Sequence, residues 1–122
     1  MQEKVLHRNA SAEYYTDERC HIIELSNSAG DPAVSIAEAR VEPGVTTRWH
    51  VLAGTVERYV IQSGQGVVEV GDMAPTRIGP GAVVLIPPGC RQRISNTGSG
   101  DLVFLAICSP RFEQRNYRDA EP

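Results

Sequence analysis

Short apolar runs recur along this chain at intervals of about ten residues, and glycine or proline turns separate them. Examples are Val34–Val41, Val56–Gln62 and Leu102–Cys108, and several runs alternate apolar with polar residues. Alternating side chains lie on opposite faces of a β-strand. Since no amphipathic helix of useful length interrupts the series, the pattern predicts an all-β, antiparallel sandwich or barrel.

The length of the chain limits it to one domain. Its 122 residues can bury one hydrophobic core but not two, and 41% of them are hydrophobic, as in globular proteins. No repeat, linker or low-complexity segment divides the sequence. We expect N-terminal strands over residues 1–33, a barrel over residues 34–110 and a C-terminal tail over residues 111–122.

Charge and hydropathy restrict the partners and the compartment. The formal net charge of −3 gives no reason to expect nucleic acid or an anionic membrane surface as a partner. No apolar run is long enough to span a bilayer, and Met1–Arg8 lacks the apolar core of a signal peptide. We therefore expect a cytoplasmic protein.

The three cysteines do not form a recognisable framework. Cys20, Cys90 and Cys108 include no C-x-x-C pair, so the sequence indicates neither a disulfide scaffold nor a zinc ribbon. We interpret Cys20 and Cys108 as small buried residues. Cys90 lies two positions before Gln92 and so can face the same side of a strand.

The most informative stretch is Pro43–Gly66, which is typical of two strands joined by a turn. By alternation, Arg48 and His50 share one face of the first strand, and Glu57 and Tyr59 share one face of the second. If the turn directs both of these faces inward, an imidazole and a carboxylate converge inside the fold.

This stretch has the form G-x5-H-x-L-x4-E-x6-G and resembles the first motif of the cupin superfamily. The later segment Gly81–Asn96 resembles the second cupin motif, G-x5-P-x-G-x2-H-x3-N. Two long gapped motifs in this order are a specific signal. The resemblance implies a small antiparallel jelly-roll barrel in one domain, with a cavity open at one mouth.

The resemblance also implies a metal site, because cupins usually bind one divalent ion through two His and one Glu of the first motif and one His of the second. Here those positions hold His50, Leu52, Glu57 and Gln92. Leucine cannot coordinate a metal, and glutamine offers only a neutral carbonyl oxygen. We expect at most a weakly bound zinc, iron, manganese or nickel ion at His50, Glu57 and Gln92, which Cys90 alone could tighten.

The remaining chemistry is that of a polar cavity. No serine or cysteine nucleophile sits in a known motif, and no loop is built to cradle phosphate. We expect His50 or Glu57 to act as a base and Tyr59 as an acid, with Arg48 and Gln92 contacting a small polar or anionic ligand. The structural alternative is that these side chains only satisfy one another within the core.

Three functions are compatible with this sequence. The first is a small-molecule enzyme of isomerase, epimerase or cyclase type that works by proton transfer in the cavity. The second is a metal-dependent enzyme of dioxygenase or decarboxylase type with a non-standard His/Glu/Gln site. The third is a ligand-binding or sensor module without turnover. We also expect a homodimer, because Leu102–Cys108 is apolar on both faces, and the resemblance implies pairing through a sheet face or exchanged N-terminal strands.

Overall fold

The computed structural model describes residues 1–122, and β-strands account for almost all of its regular structure. Eleven strands form two antiparallel sheets. In chain order they are β1 (Tyr14–Tyr15), β2 (His21–Ser26), β3 (Ser35–Val41), β4 (His50–Leu52), β5 (Val56–Ser63), β6 (Gly66–Val70), β7 (Thr76–Ile78), β8 (Val83–Ile86), β9 (Gln92–Asn96), β10 (Leu102–Ser109) and β11 (Tyr117–Asp119). The predicted all-β antiparallel fold is confirmed.

The two sheets face each other, and from β4 onward the chain crosses repeatedly between them. One sheet has the order β1-β2-β3-β10-β5-β8, and the other has the order β11-β4-β9-β6-β7. This alternation between sheets is that of a jelly roll. It sets β4 and β9 of one sheet opposite β5 and β10 of the other, and β4, β5 and β9 carry all the predicted site residues except Arg48.

Strand β10 is the centre of the six-stranded sheet, where it pairs with β3 on one side and β5 on the other. Leu102, Phe104 and Cys108 are buried on its inner face, and Val103 and Leu105 are half-buried on its outer face. This position accounts for a run that is apolar on both faces.

The inner faces of the sheets meet in a core of 13 buried side chains, which includes Ile61 of β5 and Ile94 of β9. Two glycines near the turn between β5 and β6, Gly66 and Gly64, allow the backbone to come close to neighbouring segments. A Cβ on Gly66 would lie 2.5 Å from the carbonyl oxygen of Ser95, and Gly64 has a φ of +91°. Larger residues would clash at the first position and be strained at the second.

The C-terminal residues 111–122, predicted to be a tail, return to the barrel and add a strand. β11 pairs antiparallel with β4, so that Tyr117 lies beside Leu52 and Asp119 beside His50. The first motif strand is also shorter than predicted, because regular pairing begins at His50 and Thr46 forms only an isolated bridge. Both differences affect the site.

Two further features lie on the outside of the molecule. Arg8, in the N-terminal segment before β1, pairs with Glu38 of β3 at 2.9 Å. Val83 and Leu85 of the edge strand β8 are 56% and 66% exposed. An exposed apolar edge of this kind is compatible with the homodimer, which stays a prediction.

None of the helical segments has the length and apolar character needed to cross a membrane.

Candidate functional site

The space between the sheets forms a cavity of about 400 Å³. Inner-face residues of β2, β3, β5 and β10 line one side of it, and residues of β4 and β9 line the other. The turn Thr16–Cys20 and the C-terminal segment around Tyr117 complete the lining. The volume lies in the range of small-molecule binding sites.

His50 faces this cavity from β4, where it pairs with Gln92 of β9, and it is 4% exposed. Its Nδ1 lies 2.9 Å from the carbonyl oxygen of Arg48, so a proton on Nδ1 is donated there. Its Nε2 lies 3.7 Å from Oε2 of Glu18, and Tyr117 stacks on the ring at a centroid distance of 5.3 Å. These contacts fix the imidazole and leave Nε2 as its reactive nitrogen.

Glu57 lines the cavity from β5 and is 6% exposed. The thiol of Cys108 donates to its Oε2 at 3.7 Å, whereas its Oε1 has no hydrogen-bond partner. Burial raises the pKa of this carboxyl to about 7, an effect that His50 opposes and Glu18 reinforces. A carboxyl with this pKa changes protonation near neutral pH, as a general acid or base must.

Tyr59 and Gln92 form a buried hydrogen-bonded pair next to Glu57. The Tyr59 hydroxyl donates to Oε1 of Gln92, and burial, reinforced by Glu57, raises the pKa of the phenol well above its usual value. Gln92 is fully buried and lies behind the cavity wall. Its Nε2 approaches Glu57 closely enough to lower the pKa of that carboxyl, without completing a hydrogen bond to it.

The structure thus brings four predicted site residues together, but it does not place Arg48 beside His50. The Arg48 guanidinium forms a 2.9 Å ion pair with Asp119 and does not line the cavity. Alternation fails here because regular strand begins only at His50. Thr47 takes the cavity-facing position instead.

Two cavity residues that contact His50, namely Glu18 and Tyr117, were not identified from the sequence. The carbonyl oxygen of Glu18 accepts a hydrogen bond from the Arg48 backbone N–H at 3.2 Å, which brings the Thr16–Cys20 turn to the site. Tyr117 arrives through the pairing of β11 with β4. Neither residue belongs to a motif, and a three-residue strand carries no detectable periodicity.

The cysteines behave as interpreted, with one addition. Cys20 and Cys108 are both buried, and both also line the cavity. Burial, reinforced by Glu18, raises the pKa of Cys20 to about 12, and burial together with Glu57 raises that of Cys108 as well. The thiols are therefore protonated and poor nucleophiles at neutral pH. Cys90 lies outside the cavity lining.

The residues present do not fit the metal site that the motifs imply. Leu52 lines the cavity at the second His position, and Oε1 of Gln92 already accepts the hydrogen bond from Tyr59. No group of three or more His, Cys, Asp or Glu side chains is placed to hold an ion. His50 and Glu57 remain as the two strong donors, one fewer than a catalytic zinc site typically has.

Several solved structures share this fold. The nucleoside dehydratase Pac13 from Streptomyces superposes with a TM-score of 0.78 at 15% identity, over 97% of this chain and 92% of that chain. A double-stranded β-helix protein from Klebsiella pneumoniae gives 0.75 at 15% identity, over 92% and 93%. An oxalate decarboxylase gives 0.74 at 20% identity, over 86% of this chain but 29% of that chain. At these identities the similarity shows the fold alone.

The sequence itself also gives a family assignment. No curated protein sequence matches it significantly. The model of the Cupin domain family, however, matches residues 37–108, which is more than half of the chain and contains both motifs. The chain therefore belongs to the cupin family.

Proposed function

We propose that this cupin is an enzyme that transforms a small molecule by proton transfer in the barrel cavity, without a resident metal. Isomerases, epimerases, cyclases and dehydratases work in this way. One observation carries the proposal: two titratable groups, the His50 imidazole and the Glu57 carboxyl with a pKa of about 7, face the same cavity. A proton acceptor and a proton donor on one cavity are the minimum that such reactions need.

The contacts of each residue suggest its role. Nε2 of His50 is the base, because Nδ1 is held by the Arg48 carbonyl. Glu57 supplies or receives the second proton. Tyr59 directs its proton at Gln92, so it positions the Gln92 amide rather than acting as the acid that the sequence suggested. Arg48, held by Asp119, has no part in ligand binding in this proposal.

The structural relatives support the reaction class. Pac13 is a nucleoside dehydratase, and its variants have been crystallised with uridine. Dehydration removes a proton and a hydroxide, so it uses the same acid–base steps as isomerisation. A cavity of about 400 Å³ is large enough for a molecule of nucleoside or monosaccharide size.

Solvent deuterium exchange tests the proposal directly. Nucleosides, sugars and small carboxylic acids are screened by thermal shift, and each hit is followed by proton NMR in D2O. The wild type should turn over a hit or exchange one of its C–H protons. His50→Gln should slow this at least about a hundredfold. Asp72→Asn, in an exposed turn outside the cavity, is the matched control and should react as wild type.

A hit that binds at His50 and Glu57 but neither reacts nor exchanges a proton would instead support the ligand-binding or sensor module. The contrast is sharp because binding depends on the same residues in both cases, whereas exchange requires a base that accepts the substrate proton.

A metal-dependent dioxygenase or decarboxylase is the second candidate, favoured by the oxalate decarboxylase among the structural relatives. It requires Gln92 to turn its amide oxygen away from Tyr59 and toward an ion shared with His50 and Glu57. Elemental analysis of the purified protein separates the two candidates. One metal per chain that survives chelator would favour the metalloenzyme, and loss of that metal in His50→Gln would locate it at this site.

A further inference from the structure

The cavity is lined by four acidic side chains but by only one basic side chain. Its carboxyl groups come from β2, from β5 and from the turn before β2, and they are Asp17, Glu18, Glu24 and Glu57. No lysine or arginine lines the cavity, and His50 is its only basic side chain. An anionic ligand would meet an unfavourable field there, whereas a cation would be attracted.

The neighbouring arginines do not line the cavity, because their guanidinium groups have partners elsewhere, as Arg19 has in the carbonyl oxygen of Thr46 at 3.0 Å. Arg48 pairs with Asp119 at 2.9 Å, and Arg40 pairs with Glu13 at 2.7 Å. Neither guanidinium reaches the cavity lining. The excess of acidic groups is therefore a property of the cavity that the rest of the fold leaves uncompensated.

A second, independent observation points to a ligand. Oε1 of Glu57 is buried on the cavity wall and has no hydrogen-bond partner, although Glu57 is only 6% exposed. Buried carboxylates are normally paired with a donor or a cation, because burial removes the water that would solvate them. Glu18 moreover raises the pKa of Glu57 through like charge, so a cation near both groups would relieve a repulsion.

The aromatic lining has the same preference. Six aromatic side chains surround the cavity, and they are Tyr14, Tyr15, Tyr59, Phe104, Phe112 and Tyr117. The faces of such rings carry partial negative charge and attract organic cations. They also pack against sugar or heterocyclic rings. Carboxyl groups and ring faces around one small cavity form a set that recognises an ammonium group on a compact body.

We propose that the ligand of this cavity carries a protonated amine on a small ring-shaped or polyhydroxylated body, with the amine bound by Glu18 and Glu24. Of the polar or anionic ligands expected from the sequence, this proposal keeps a polar one and replaces the negative charge by a positive charge. The inference depends on the proposed function only for the location of the site. Glu18 and Glu24 then select the ligand, while His50 and Glu57 remain the groups that move protons.

Compounds that share a ring and carry a positive, a neutral or a negative group test this inference. One set is benzylamine, benzyl alcohol and benzoate, and the other is glucosamine, glucose and glucuronate. Binding to the full chain is measured by NMR titration or calorimetry at low and high salt. We expect an amine to bind at least about tenfold tighter than its alcohol, with the carboxylate weakest. The preference should shrink as salt is added.

Two variants locate the charge recognition. Glu18→Gln and Glu24→Gln should each reduce the amine preference severalfold, with circular dichroism showing that the variants remain folded. Asp72→Asn removes a carboxylate outside the cavity and should keep the full preference. A preference that survives in both cavity variants would show that Glu18 and Glu24 do not bind the amine and would overturn the proposal.

The other outcomes are equally decisive. If amine and alcohol bind equally, if the carboxylate binds best, or if no amine binds, the inference is wrong. The proton-exchange experiment is separate. An amine preference without any proton exchange would support the inference about the ligand and contradict the proposed function. Proton exchange on an uncharged hit, without an amine preference, would support the proposed function and contradict the inference about the ligand.

Discussion

The floor and the mouth of the cavity are built in opposite ways. The floor consists of residues on regular strands of both sheets, all buried, and they are His50, Glu57, Tyr59, Gln92 and Cys108. The mouth consists mainly of residues from short N- and C-terminal segments, and they are Tyr14, Tyr15, Glu18, Glu24 and Tyr117. Tyr14 and Tyr15 are 47% and 60% exposed.

This difference separates two tasks. Strand pairing holds the floor, and burial there shifts the pKa of Glu57 far enough for proton transfer. The mouth lies on the short strands β1 and β11, on β2 and on the turn before it, and its side chains are more exposed, so substitutions there should cost less stability. Chemistry that needs fixed geometry thus lies on buried strand residues, and ligand selection lies on the more exposed residues around them.

Removing the charge of Glu57 should have the largest effect on stability. Its pKa is raised from 4.5 to about 7 on folding, so the folded state holds this proton more tightly than the unfolded state does. The stabilisation is complete below the unfolded pKa and is lost as pH rises through about 7, a change of about 3 kcal/mol. Glu57→Gln cannot ionise and should melt above wild type at pH 8 but not at pH 4.5.

Glu18, at the mouth, offers a comparison with Glu57 for the pH dependence of the melting temperature. Burial also raises the pKa of Glu18, but His50 opposes the shift and the Glu18 side chain is 26% exposed. Glu18→Gln should therefore change the pH dependence of melting less than Glu57→Gln does. If the two variants changed the pH dependence of melting equally, burial would not distinguish the floor from the mouth. A Glu57→Gln variant that melts below wild type at pH 8 would show that the fold stabilises this carboxylate.

The next largest difference in stability between floor and mouth should come from removing one tyrosine hydroxyl in each. Tyr59→Phe leaves Oε1 of the fully buried Gln92 without its donor and should destabilise the fold by about 1–3 kcal/mol. Tyr117→Phe keeps the ring that stacks on His50 and should change stability by less than about 0.5 kcal/mol. Urea denaturation of both variants measures the difference, and a neutral Tyr59→Phe would mean that the pair with Gln92 contributes little.

The floor was largely predictable from sequence, because motif spacing and strand alternation together specify which side chains meet. Arg48 shows where this reasoning fails. The backbone before His50 is not regular strand, and the ring of Trp49 contacts both Arg91 and Arg93, whose guanidinium carbons each lie 4.4 Å from its centroid. Alternation is a property of extended backbone and does not carry across such a segment.

The mouth could not be predicted in the same way. Glu18 is brought to His50 by a turn in which Arg19 adopts a φ of 72°, and Tyr117 by a pairing across about half the chain. Non-Gly residues with positive φ have only a weak sequence preference, and long-range pairing leaves no local periodicity. The metal expectation rested on residue identity alone, and the hydrogen bond that occupies Oε1 of Gln92 became visible only in the fold.

Disrupting the predicted homodimer should change ligand binding in the cavity less than any of the substitutions above. Val83 and Leu85 are exposed on the edge strand β8, and Val60 and Leu105 are half-buried on the outer face of the same sheet. Pairing of two chains over this face would cover an apolar surface that lies on the opposite side of the sheet from the cavity. Light scattering at micromolar concentration should give the mass of two subunits, and Leu85→Glu should give one.

The same experiment tests whether the N-terminal strands are exchanged, which would place floor and mouth on different chains. In the folded chain, β2 pairs with its own β3, so each chain should complete its own cavity. Leu85→Glu should then lose the dimer and keep ligand binding, with Arg77→Glu, an exposed position on the other sheet, as the matched control. Loss of binding together with the dimer would show that the mouth of one subunit covers the floor of its partner.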